Sequence, residues 1–103
     1  MTEDIKDKLE LIADYHGVED QCGVLQEECA ELIQALSKIL RARRDGDGDM
    51  TDALLTHVME EIADTYIMMQ QVAYLLKIEK KDIDAMIKYK IMREIGNIKA
   101  RRE

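Results

Sequence analysis

From Ile5 to Ile98 apolar side chains return every three to four residues, and no proline interrupts them anywhere in the chain. That period is the mark of α-helices that each bury one stripe, and without Pro nothing forces a break inside them. The expected fold class is all-α, a four-helix bundle. The first helix spans about residues 3–15, with Ile5, Leu9, Ile12 and Ala13 as its stripe and His16-Gly17 as its stop. A second, about 18–44, carries Val18, Cys22, Leu25, Cys29, Leu32, Ile33, Leu36, Ile39 and Leu40, and Arg41, Arg43 and Arg44 suit its C-terminal dipole. A third, about 52–76, is capped by Thr51 or Asp52, with Leu54, Leu55, Val58, Ile62, Ile67, Met69, Val72, Ala73 and Leu76 facing a core. The fourth, about 81–101, presents Ile83, Met86, Ile87, Ile91, Ile95 and Ile98.

With 103 residues and no Pro-, Gly- or Ser-rich linker, the chain is expected to form one domain over residues 1–103. A domain of this size hides only about two-thirds of the surface its unfolded chain exposes. Since 47% of the residues are apolar, part of that surface is expected between subunits. Twelve Ile and seven Met, with no Phe or Trp, make the core aliphatic and leave few platforms on which bases could stack.

The net charge of −7 disfavours a nucleic-acid polymer as partner. Its distribution is uneven: residues 1–31 hold ten acids and two bases, whereas residues 77–103 hold five acids and nine bases. Such asymmetry suits a ligand that is a cation plus a polyanion, such as a metal–phosphate complex, although on charge alone a pair of oppositely charged solvated helices is the better account. Cys22 and Cys29 lie seven residues apart on one helix, about 10 Å of rise, so they cannot pair there and read as small fillers in a reducing compartment. The start MTEDIKDKLE lacks the regions of a signal peptide, and no apolar run reaches membrane-spanning length. A cytoplasmic location without a membrane partner is expected.

Asp45, Asp47 and Asp49 match the opening of an EF-hand loop, but Met50 stands where that loop needs Gly, and Thr56 where it needs a bidentate Glu. An acidic connector fits better than a calcium site.

The segments Glu27-Glu28-Cys29-Ala30-Glu31 and Glu60-Glu61-Ile62-Ala63-Asp64 repeat at an offset of 33 residues. At 100° per residue, Glu28 and Glu31 fall about 60° apart on a face shared with Gln21, Val24 and Ala35. Glu61 and Asp64 share theirs with His57, Thr65 and Met68. Each helix thus aims a carboxylate pair along a face that also carries apolar or small residues. Unpaired carboxylates in a helix interface cost several kcal/mol each, on the order of their desolvation. No Lys or Arg lies between Thr51 and Leu76 to neutralise them. A divalent cation is then the natural counter-charge, and four oxygen ligands without clustered Cys or His suit Mg²⁺, with Mn²⁺ as the alternative, better than Zn²⁺. The competing reading is that these acids are ordinary charges on amphipathic helices.

Glu28-x-x-Glu31 and Glu61-x-x-Asp64, within QCGVLQEECAELIQALSK and HVMEEIADTYIMM, resemble the all-α nucleoside triphosphate pyrophosphohydrolase superfamily, the MazG-like group in particular. The likeness spans about residues 15–95 and includes Gly17-x-x-x-Gln21, Lys38 and the pair Lys90-x-x-Arg93. Twenty-nine residues separate Glu31 from Glu61, at the long end of that group's spacing.

The resemblance implies a helical bundle assembled as a homodimer or homotetramer. It also implies Mg²⁺-dependent hydrolysis of a nucleoside triphosphate to a monophosphate and pyrophosphate, with nucleotide-pool cleaning as one possible purpose. Glu28, Glu31, Glu61 and Asp64 would hold metal, while Glu27 or Glu60 would orient the water or remain plain helix charges. Lys38, Lys90 and Arg93 would meet phosphates, Lys38 being equally a surface lysine. Gln21 would bond base or sugar, or serve as a packing amide; His57 reads as a packing residue. Phosphoribosyl-ATP pyrophosphohydrolase shares the motif and is the first rival. The second is a non-catalytic helical interaction protein, which needs no Mg²⁺. A ferritin-like di-iron site requires Glu-x-x-His, which the chain lacks.

Overall fold

The computed structural model describes residues 1–45 and 52–102, which form four α-helices in an all-α, bundle-like fold: α1 Glu3–His16, α2 Val18–Arg44, α3 Asp52–Leu75 and α4 Lys80–Arg102. The acidic connector beyond Asp45 and the possible cap Thr51 lie outside the described residues. No described helix is long and apolar enough to cross a membrane.

Local chemistry accounts for the helix ends. The Thr2 hydroxyl accepts from the Ile5 amide at 3.3 Å, and Glu3 and Asp4 in the first turn favour the N-terminal dipole of α1. Gly17 closes α1 and opens α2: its N–H donates to the Ala13 carbonyl at 2.9 Å and its own carbonyl accepts from Gln21 at 3.1 Å. It does so at φ 88°, ψ 168°, a region open to glycine and costly for any residue with a Cβ. At the end of α3 the Ile78 amide donates to Ala73 at 2.9 Å and the Lys77 amide to Tyr74 at 3.1 Å, the paired bonds of a Schellman motif. Lys77 sits at the left-handed position, φ 59°, where glycine is usual.

α2, about 40 Å long, runs antiparallel to α3: Gln21 meets Gln71 and Glu28 meets Thr65 as one helix rises and the other descends. α1 packs across both. Among the described residues the buried side chains are few: Leu9, Ala13, Ala35 and Met68, together with the polar Gln21, Thr65 and Gln71. The α2–α3 seam is therefore built on the acid-bearing face. The apolar stripes expected to form the core are turned partly outward, with Ile33, Leu36, Leu40, Leu55, Ile62 and Met69 exposed and Cys29 exposed beside them. The physical reason is that each helix carries apolar residues on more than one face, and the neighbouring helices cover only part of them.

α4 goes furthest in this direction. It packs on none of the other helices, and its apolar residues from Ile83 to Ile98 are all exposed. The radius of gyration, 17.4 Å, exceeds the roughly 13 Å of a compact chain of this length.

Candidate metal centre

Antiparallel pairing brings the two acidic clusters to one level of the seam. Ligand oxygens of Glu28, Glu31 and Glu61 lie within 4.8 Å of one another. Oxygens bound to one Mg²⁺ at about 2.1 Å stand roughly 3 to 4 Å apart, so a small side-chain rotation would close the three on a single ion. Asp64 is exposed and outside this trio, yet close enough for its charge to act on Glu28 and Glu61.

Burial separates the members. Glu28 is half-buried and the Glu61 side chain is only 13% exposed, whereas Glu31 is exposed at the rim. Oε2 of Glu28 and Oε2 of Glu61 are shut off from solvent and have no hydrogen-bond partner. An acceptor in that state forfeits its hydration without replacement. Burial, first, pushes the Glu28 carboxyl above the ordinary range; the charges of Glu31, Asp64 and Glu61 push it further, and Glu31 is close enough to share a proton with it. Glu61 is raised by the same burial and by Glu31 and Asp64, with His57 pulling the other way.

Among the described residues no Lys or Arg pairs with Glu28, Glu31, Glu61 or Asp64. The cluster thus has the donor chemistry of a hard divalent cation site: oxygen ligands, excess negative charge and two desolvated lone-pair donors without a partner. The residues present fit Mg²⁺ or Mn²⁺.

The other expected site residues are spread more widely. Glu27 and Glu60 are exposed, each one position before a half-buried acid. Gln21 is 4% exposed and donates from Nε2 to Gln71 Oε1 at 2.6 Å, the packing role for that amide. Its turn of the helix, with Asp20, Val24 and Glu27, borders an open groove of about 500 Å³. Lys38 is exposed on α2. Lys90 and Arg93 ride on α4, Arg93 lying over the Tyr89 ring at 5.7 Å, and the chain's own α2 and α3 are not in contact with that helix. A larger cavity, about 750 Å³ between α1, α3 and the first turns of α4, is lined by Tyr66, Tyr74, Ile83 and others but by none of the four acids.

Two participants escaped the sequence reading. His57, read as packing, lies 3.5 Å from Glu61 Oε1 through Nε2. Thr65 donates its hydroxyl to the Glu28 carbonyl at 3.4 Å, joining the helices beside the acids. Their signal was present in the wheel, since both share the Glu61 face. Compared with protein-family models, with curated proteins and with solved structures, the chain matches none.

Proposed function

We propose that the chain is a Mg²⁺-dependent nucleoside triphosphate pyrophosphohydrolase. The observation that carries this reading is the pair of buried, unpartnered oxygens, Glu28 Oε2 and Glu61 Oε2, facing one seam from adjacent helices beside Glu31. The motif resemblance gives the reaction: water cleaves the anhydride bridge between the α- and β-phosphorus, and monophosphate and pyrophosphate leave.

Glu28, Glu31 and Glu61 would hold the ion, with Asp64 completing the set from the rim. When bound, Mg²⁺ neutralises phosphate oxygens and lowers the pKa of water. Glu27 and Glu60, exposed one position before Glu28 and Glu61, would orient that water. Lys38 offers a phosphate contact from α2.

The working form in this reading is a homodimer or homotetramer. Its support is α4, a basic helix with uncovered Ile and Met side chains, which needs a second copy to pack on and would bring Lys90 and Arg93 with it. The same exposed surface favours the rival of a non-catalytic helical partner.

One experiment separates them. Purified protein is offered a panel of nucleoside triphosphates, deoxynucleotides and phosphoribosyl-ATP with Mg²⁺, Mn²⁺ or EDTA, beside Glu28→Gln and Glu61→Gln. Pyrophosphate release that needs the ion and both carboxylates is expected. Equal product from wild type and variants, or orthophosphate in place of pyrophosphate, refutes the assignment.

A further inference from the structure

Glu61 presents its two oxygens to different surroundings. Oε1 lies 3.5 Å from His57 Nε2, one helical turn away on α3, whereas Oε2 is shut off from solvent without a hydrogen-bond partner, as is Oε2 of Glu28 across the seam. A carboxylate free to rotate would interchange these oxygens. One whose Oε1 stays beside a ring nitrogen at the rim keeps Oε2 in its buried place. The ring is 40% exposed and Glu61 13%, so the contact runs from the rim of the seam inward. Thr65, one turn further along α3, is occupied with the Glu28 carbonyl and leaves the role to His57.

We propose that His57 is a positioning residue for the cation site: its Nε2, beside Glu61 Oε1, keeps that oxygen at the rim and so leaves Oε2 as a one-oxygen ligand. This rests on the metal centre proposed above and adds to it a residue that binds neither ion nor substrate. Groups that orient a metal ligand from outside the coordination sphere typically contribute about 10- to 100-fold in metal affinity.

The test titrates the full chain with Mn²⁺ alone, without nucleotide, following free ion by electron paramagnetic resonance. Wild type is compared with His57→Leu, which keeps bulk but no donor, and His57→Gln, which returns an N–H near the same place. Thermal melts in EDTA check that both variants fold. The expected result is a Kd about tenfold or more weaker for His57→Leu, largely restored in His57→Gln. Wild-type affinity in His57→Leu overturns the positioning role while leaving the metal site standing. Equal loss in both variants overturns it too, since the donor would not be what matters. Failure of the wild type to bind Mn²⁺, with Glu61→Gln indistinguishable from it, overturns the metal site and this role together.

Discussion

Gln21 of α2 and Gln71 of α3, fifty residues apart in sequence, share a 2.6 Å hydrogen bond with 4% and 2% of their surfaces exposed. Two amides thus occupy seam positions where a helix pair ordinarily places Leu. Truncating one strands the other: Gln71→Ala is expected to cost about 1–3 kcal/mol in urea unfolding. Gln21→Leu/Gln71→Leu together should lie near wild type, and the double-mutant cycle should show the coupling. Additive losses would mean that the bond contributes nothing beyond volume.

Carboxyls whose pKa is raised on folding make stability depend on pH in a definite sense. Above the ordinary value of 4.5 the unfolded chain has released protons that Glu28 and Glu61 still hold when folded. The native state then binds more protons, so stability without metal is greatest below that value and declines as pH rises through the raised values. Thermal melts in EDTA should show this decline, and Glu28→Gln should flatten it.

A cation reverses the trend, because it takes the protons' place only once they have left. Mg²⁺ at about a hundred times its Kd adds about 2.7 kcal/mol, on the order of 10 °C for a chain this small. The rise in Tm should be large at pH 8, small at pH 5 and absent in Glu61→Gln. A rise of the same size at both pH values would contradict the proposed competition.

Lys77 holds a left-handed conformation at the close of α3, with both Schellman bonds in place. An L-residue there costs about 1–2 kcal/mol, part of which glycine returns as unfolded-state entropy. Lys77→Gly is expected to raise stability by about 0.5–1 kcal/mol and Lys77→Val to lower it, both read from chemical denaturation.

Ile87 and Ile91 stand uncovered on α4. In light scattering the wild type should have two or four times its 11.9 kDa chain mass, and Ile87→Glu/Ile91→Glu should return the monomer. Because α4 packs on no other helix of its own chain, the far-UV helical signal should change little. A wild-type monomer at micromolar concentration would contradict the proposed assembly.

Sequence by itself determined the helices and the opposed acids. The 3.6-residue period, His16-Gly17 and the basic turn at Arg41–Arg44 set element type and ends to within a residue or two, since they act through local backbone geometry. The i,i+3 spacing likewise placed Glu28 with Glu31 and Glu61 with Asp64 on one face each. What only tertiary structure decided was which face of each helix meets its neighbour. α2 and α3 close on the acid-bearing side, so Gln21, Thr65 and Gln71 are buried while Ile33, Leu36 and Ile62 are not. That choice also buried Glu28 and Glu61 more deeply than Glu31 and Asp64. Periodicity reports that a stripe is apolar; only packing assigns its partner, because burial is a property of two surfaces and a sequence pattern describes one.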